Sequence, residues 1–243
     1  MKSTFAGFPK EMLTFFRGLR RNNNRDWFEA HRETFETCVK APMEELTVQV
    51  MAAVTRFAPQ YAGVPKKAIF RLYRDTRFSN DKTPYKTHTG ALLRRADLPK
   101  NEAAGFYFAV SDKCVEIASG CYMPLPEQLR LIRAHIAENG SRFLKVIRNK
   151  AMIAALGELQ GEKLSRPPKG YCAGDPKIDP VLEYLKMKQW YNYVELEPEL
   201  ALRPQILDEV VTRFRKGLPL VEFLNEPLAA NAKKNAPLTT GWF

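Results

Sequence analysis

Two kinds of hydrophobic spacing alternate along the chain, and their order constrains the fold more than any single motif does. Apolar residues recur at helical spacing in residues 1–60, form short strand-like segments in residues 67–118, and return to a mixed, mostly helical spacing in residues 125–228. Helices on both sides of a run of strands are typical of the α+β class. We therefore predict a single α+β domain over residues 1–243, with a mostly antiparallel sheet packed against N-terminal and C-terminal helices.

The N-terminal helices are predicted from their apolar stripes. Pro9 suits the first turn of a helix, and four apolar residues then recur at helical spacing: Met12, Phe15, Phe16 and Leu19. The run Asn22-Asn23-Asn24 interrupts this stripe and offers an N-cap for a second helix. Pro42 is expected to restart a third helix, whose stripe is Leu46, Val50, Val54 and Phe57.

Four short segments between residues 67 and 118 are predicted to form most of the sheet. Each is rich in aromatic or β-branched residues and is bounded by turn formers. They are Ala68–Tyr73, Thr89–Leu93, Gly105–Ser111 and Cys114–Ala118. The tripeptide Ser111-Asp112-Lys113 is typical of a tight connection, which predicts a hairpin between the last two segments.

The C-terminal half combines helices with two further strand predictions. Helical spacing follows Pro126 as far as Ile147. Further along, we predict strands at Glu158–Leu164 and Trp190–Leu196, a short helix at Val181–Met187 and an amphipathic helix at Pro204–Leu224. Residues 229–243 are small and polar, and we expect a loose tail there.

Basic residues are concentrated in one part of the chain. The formal net charge is +11, and the window Lys66–Arg95 contains nine basic and two acidic residues. Such a window favours polyanions as partners, either phosphorylated small molecules or nucleic acid. No apolar run is long enough for a membrane span, and the N-terminus lacks the apolar region of a signal peptide. We expect a cytoplasmic protein without a membrane partner.

Inside this window lies the motif Arg71-x-x-Arg74-Asp75-x-Arg77-Phe78-x-x-x-Lys82-x-Pro84-Tyr85-Lys86-x-x-x-Gly90. It resembles the signature of a family of bacterial and fungal proteins of about this length, which is known as a domain of unknown function. The segment from Asn22 to His31 and the stretch around Gly120 resemble the same family. The resemblance implies membership of that family and implies no reaction, substrate or cofactor.

Five basic side chains of the motif are the predicted ligand-binding residues: Arg71, Arg74, Arg77, Lys82 and Lys86. Arginine forks bind carboxylate or phosphate through two hydrogen bonds, whereas lysine supplies a mobile point charge. This mixture suits an anion with several oxygens. If residues 68–73 form a strand, Phe70 and Leu72 would point inward.

Three interpretations of the motif stay open. The arginines can form a structural ion-pair network with Asp75, Asp81 and helix acids such as Glu29 or Glu33. The motif can instead bind an anionic, phosphate-containing small molecule, with or without turnover. In the third interpretation the cations follow the phosphates of a nucleic acid while aromatic residues of the motif stack on its bases: Tyr73, Phe78 or Tyr85.

If the protein is an enzyme, three side chains are the catalytic candidates. Asp75 or His31 would act as general base, and Tyr85 as general acid or hydrogen-bond donor. The sequence lacks the motifs of P-loop nucleotidases, dinucleotide-binding enzymes, zinc proteases and α/β-hydrolases. We therefore predict no reaction class.

The four cysteines show none of the spacings typical of a zinc site: Cys38, Cys114, Cys121 and Cys172. We predict reduced thiols and no metal site, and the sequence identifies no cofactor.

Overall fold

The computed structural model describes residues 5–77, 79–98 and 103–235. Its N-terminal helices are α1 (Glu11–Arg21), α2 (Arg25–Ala30), α3 (Arg32–Phe35) and α4 (Ala41–Val54). The predicted apolar face of α1 is confirmed, because Met12, Phe15, Phe16 and Leu19 are all buried. The predicted N-cap of the second helix is also confirmed: the side-chain oxygen of Asn24 accepts a hydrogen bond of 2.9 Å from the N–H of Trp27.

The predicted third helix is confirmed as α4, which has Pro42 in its first turn and buries Leu46, Val50 and Val54. A π-helical turn at Glu36–Lys40 joins α3 to α4. Proline has no N–H, and in a regular α-helix its ring collides with the carbonyl four residues earlier. The wider π turn before Pro42 relieves this conflict, so the chain stays helical through the proline.

The sheet contains β1 (His88–Arg94), β2 (Gly105–Ser111), β3 (Val115–Cys121) and β4 (Trp190–Leu196). Neighbouring strands are antiparallel and follow the order β1-β2-β3-β4. The bounds of β2 and β4 agree with the prediction, and the predicted hairpin joins β2 to β3. The predicted α+β class with an antiparallel sheet is confirmed.

The predicted strand at Ala68–Tyr73 is wrong. Pro65–Ala68 forms a short helix, α5, and the chain after it makes only isolated β-bridges from Ile69 and Tyr73. Leu72 is buried as expected, but Phe70 is 38% exposed rather than inward. This segment runs along the edge of β1 without becoming a regular strand, so strict alternation of its side chains fails.

The predicted strand at Glu158–Leu164 is wrong for a local reason. Only Gln160 and Lys163 form isolated bridges there. Gly161, between them, has a φ of +152°, which is outside the range of an ordinary strand residue. This positive φ interrupts the ladder after a single bridge.

The C-terminal helices are α6 (Pro126–Glu138), α7 (Gly140–Ile147), α8 (Lys150–Leu156), α9 (Leu182–Leu185) and α10 (Gln205–Asn235). The core lies between the sheet and α10, where Phe214 packs against Phe106 and Phe108 with ring centroids 4.9 and 6.3 Å apart. Within the described residues, none of the helices combines the length and the apolar character that a membrane span requires.

The predicted loose tail begins too early. α10 continues to Asn235, Leu228 is buried, and Ala229 and Ala232 pack against the core. Small residues gave no sequence signal of burial, yet their size lets the helix approach the core closely. Residues 236–243 of the predicted tail lie outside the described residues.

Asn225 attaches α10 to the start of β2, and this contact gives a test of the fold. Its amide oxygen accepts from the N–H of Ala104 at 2.8 Å, while its amide nitrogen donates to the Ala104 carbonyl at 3.0 Å and to the Tyr61 hydroxyl at 2.9 Å. Both Asn225 and Ala104 are fully buried. Asn225→Ala removes these partners of the buried Ala104 N–H and carbonyl, while the Tyr61 hydroxyl keeps its bond to Glu222, and we expect a loss of about 3 kcal/mol in the free energy of unfolding, measured in urea. Asn231→Ala, a change on the same helix, is the control, and an equal loss there would contradict the assignment.

Candidate functional site

The motif folds into two extended arms, residues 69–74 and 84–91, joined by a loop whose described residues are 75–77 and 79–83. Phe78, predicted to stack on bases, lies outside the described residues. Three main-chain hydrogen bonds of 2.9 Å join the arms: from Arg74 to Pro84, from Lys86 to Leu72 and from Phe70 to Gly90. The arms therefore lie side by side, and basic residues far apart in the motif become neighbours.

The pairing of the arms changes register between its two bridges. Ile69 lies opposite Ala91, and an unbroken antiparallel ladder would then place Tyr73 opposite Thr87. Tyr73 lies opposite Tyr85 instead. The second arm thus carries extra residues in this interval, and such a bulge changes the direction of the side chains beside it.

Asn23 fixes the second arm to the corner between α1 and α2. Its amide nitrogen donates to the Tyr85 carbonyl at 2.9 Å, and its amide oxygen accepts from the Tyr85 N–H at 3.0 Å. One side chain therefore pairs both main-chain groups of Tyr85, as a neighbouring strand would. The Phe28 ring also stacks on the Tyr85 ring at 4.4 Å.

Two arginines of the motif form ion pairs inside the loop. Arg77 binds Asp75 through Nε at 3.0 Å and Nη2 at 2.8 Å, and Arg74 pairs with Asp81. Hydrogen bonds from Arg77, supplemented by the charge of Arg71, lower the pKa of Asp75. Hydrogen bonds from Thr83, followed by the one from Arg74, lower the pKa of Asp81 to about 2. Both aspartates are therefore ionised at neutral pH and offset part of the positive charge.

These pairs do not form the predicted bridge between sheet and helices. Glu29, a predicted helix partner, pairs with Arg32 at 2.6 Å instead. The Arg77 and Asp75 side chains are both largely exposed, so their pair contributes little to stability.

Arg71, Arg74 and Lys86 form what we name the cation cluster. Burial lowers the pKa of Lys86, and the charges of Arg71 and Arg74 lower it further. Its Nζ lies 4.9 Å from the centroid of the Phe70 ring. Among the described residues, no carboxylate forms an ion pair with Lys86 or Arg71, so positive charge collects around a partly buried lysine.

The three predicted catalytic residues are not brought together by any hydrogen bond among the described residues. His31 stacks on Trp27 at 3.9 Å, and its Nδ1 lies 2.8 Å from the Trp27 carbonyl, which requires the proton on that nitrogen. Tyr85 is buried, and burial together with the Tyr73 hydroxyl raises its pKa. Asp75 is held by Arg77.

A conserved hypothetical protein family, DUF2461, has a family model that matches residues 11–223. The chain belongs to this family. No curated protein matches the chain. The expected membership of an uncharacterised family is thereby confirmed, and the DUF2461 description names no reaction or ligand.

The DUF2461 chain also carries a polar cluster on the outer face of the sheet that the sequence analysis missed. Glu116 and Glu195 lie directly opposite each other on β3 and β4. The Tyr107 hydroxyl donates to Glu116, and the Tyr193 hydroxyl donates to Glu195 at 2.5 Å. Alternation along β3 could have placed Glu116 on this face, but the sequence gave no signal for its pairing with Glu195.

Cys114 completes a set of side chains with the donor atoms that metal ions use. One donor atom from each of Cys114, Glu116 and Glu195 lies within 4.8 Å of the others. Burial and then the neighbouring Glu116 raise the pKa of the Cys114 thiol. The prediction of no metal site rested on the spacing of the cysteines along the sequence. Such spacing does not detect a set of donor atoms that the fold brings together from distant parts of the chain.

The paired carboxylates predict a pH-dependent effect of substitution. Burial, reinforced by Glu195, raises the pKa of Glu116 above its ordinary value of 4.5. The folded protein therefore holds this proton more tightly than the unfolded chain, and the associated stability is present below pH 4.5 and lost as the pH rises through the folded pKa. We expect Glu116→Gln to raise the free energy of unfolding by up to about 1 kcal/mol at pH 7 and to have no such effect at pH 4. Urea unfolding at both pH values measures this, with Glu158→Gln on the exposed surface as control. A loss of stability at pH 7 would contradict the expectation.

The Asn23 contact predicts that the second arm can be loosened selectively. Asn23→Ala removes the partners of the Tyr85 N–H and carbonyl, and we expect a loss of about 2 kcal/mol in unfolding free energy. Amide exchange of Tyr85 and Lys86 should accelerate more than exchange in β2. Uniform acceleration across the sheet would show that Asn23 acts on the whole fold instead.

Proposed function

We propose that this DUF2461 protein binds a phosphate-bearing small-molecule anion, with the cation cluster as the binding site. The observation that carries the proposal is the environment of Lys86. This partly buried lysine lies beside Arg71 and Arg74, and no carboxylate among the described residues forms an ion pair with it. Removing a charge from water without pairing it costs free energy. A phosphate at this position supplies the missing negative charge.

The geometry of the cluster suits an anion with several oxygens. Arg71 and Arg74 offer planar forks and Lys86 offers a point charge. Arg74 is held in place by Asp81 and by the Thr83 hydroxyl at 2.7 Å, which reduces the entropy lost when a ligand binds. The exposed part of the Phe70 ring adds an apolar surface beside Lys86.

The other two predicted ligand-binding residues take a secondary role in the proposal. The Arg77 fork binds Asp75, and Lys82 Nζ donates to the Thr76 carbonyl at 3.0 Å. Both side chains are therefore engaged within the loop. We assign them a contribution to the local positive potential rather than direct contact with the anion.

A nucleic-acid ligand is the second candidate. Phe70 and Tyr73 are 38% and 53% exposed, next to the cation cluster. Exposed rings beside phosphate-binding cations can stack on unpaired bases. This alternative predicts a binding constant that falls steeply with salt, whereas a small anion with few contacts predicts a shallow dependence.

Lys86→Met tests the proposal because binding and stability should respond differently. We expect affinity for a phosphate compound to fall about tenfold or more, since a charge-assisted contact is lost. We expect the melting temperature of the free protein to be unchanged or higher, because an uncompensated cation is removed. Isothermal titration calorimetry and thermal unfolding measure the two effects.

The matched control is Lys67→Met, which removes the same charge from an exposed position in the same basic window. This variant should change the affinity for the phosphate compound by no more than about twofold from that of the unsubstituted protein, as expected for a screened surface charge. Equal losses in both variants would show that total charge, not the cation cluster, attracts the anion. A large loss of stability in Lys86→Met would favour the structural interpretation.

The ligand class is to be found by a thermal-shift screen at low salt. Inorganic phosphate, nucleotides, sugar phosphates and short single-stranded oligonucleotides are compared, because a ligand of the native state raises the melting temperature. A shift with one small-molecule class that Lys86→Met abolishes supports the proposal. A shift with oligonucleotides alone supports the second candidate, and no shift with any compound contradicts both.

A further inference from the structure

A cavity of about 410 Å³ lies between the first half of α6 and the segment 168–171, outside the motif. Its volume falls within the range of small-molecule sites, roughly 300–1,000 Å³. Its walls combine apolar surface with basic groups: Pro126, Leu129, Arg130, Arg133, Lys169 and Tyr171. None of the described residues that line it carries a carboxylate.

Arg133 is the residue that distinguishes this cavity. Its Nη2 donates to the Met187 carbonyl at 2.9 Å, its Nε is buried without a hydrogen-bond partner, and no described carboxylate forms an ion pair with it. Burial lowers the pKa of the Arg133 guanidinium. The charge is thus partly removed from water without a described carboxylate to pair with it, which costs free energy.

The neighbouring cations differ in how far they are neutralised. Arg130 is bound by Glu127 through two hydrogen bonds of 2.6 and 3.0 Å. Lys169 is exposed and forms no ion pair with a described residue. Arg133 and Lys169 therefore give the cavity its uncompensated positive charge.

A tight turn presents Lys169 and Tyr171 to the cavity. The Tyr171 N–H donates to the Pro168 carbonyl at 3.2 Å, and Gly170 has a φ of +93°, as expected at the third position of a type II turn. The Tyr171 ring adds apolar surface and its hydroxyl adds a polar group close to Arg130 and Arg133.

We infer that this cavity is a second ligand site, which takes a small organic anion with an apolar body. The carboxylate or phosphate of such a ligand contacts Arg133 and Lys169, and its body packs against Leu129 and the Tyr171 ring. The cation cluster shares no residue with this cavity, so substitutions can test each of the two proposed sites separately.

Phenyl phosphate and benzoate are suitable probes, because each joins a ring to an anionic group, and inorganic phosphate is the probe without an apolar body. Calorimetric titration of the full chain at low salt is expected to show binding of at least one ring-bearing probe, tighter than that of inorganic phosphate. Arg133→Met should weaken this binding about tenfold or more. Lys145→Met, which removes an exposed charge on α7 outside both sites, should leave it unchanged.

Lys169→Met keeps the test decisive if Arg133→Met fails to fold, because Lys169 is exposed on the turn. This variant should lower the affinity for the ring-bearing probe severalfold and leave the melting temperature of the protein unchanged. Binding that is lost in Lys86→Met but kept in Arg133→Met and Lys169→Met would assign the probe to the cation cluster and overturn the inference. The absence of binding by both ring-bearing probes would also overturn it.

Discussion

The open edge of β1 is the constraint on which the candidate site depends. β1 ends the sheet on one side, and the main-chain groups along such an edge need partners. Phe70 supplies one of them through its bond to Gly90, and Asn23 supplies both partners of Tyr85 farther along the second arm. Covering the edge in this way brings the two arms of the motif together, and their cations with them.

Main-chain pairing therefore concentrates charge that electrostatics alone would disperse. Arg71 and Arg74 come from one arm and Lys86 from the other, and burial of Lys86 increases their mutual repulsion. Asp81 relieves the repulsion at Arg74, but no described carboxylate relieves it at Lys86. A local arrangement that works against stability is typical of a binding site, where the ligand completes the interactions.

The sequence predicted best those elements whose signals are local. The buried face of α1 follows from helical spacing, and the bounds of β2 and β4 follow from dense aromatic and β-branched residues between turn formers. Its errors have tertiary causes or causes in special backbone geometry. The positive φ of Gly161 interrupts the strand predicted at Glu158–Leu164, and packing of Ala229 and Ala232 extends α10 through a segment that looked loose.

The sequence by itself determined the α+β class, the resemblance to an uncharacterised family and the concentration of basic residues between Lys66 and Arg95. These properties depend on composition and on spacing within short segments. Only the tertiary structure decided which cations find carboxylates and which do not. Within the part of the chain that the structure describes, Lys86 and Arg133 form no ion pair with a carboxylate. Glu116, in contrast, meets Glu195 across two strands, because strand register joins segments far apart in the chain. The spacing of residues within a short segment does not predict contacts between segments that are distant in the chain.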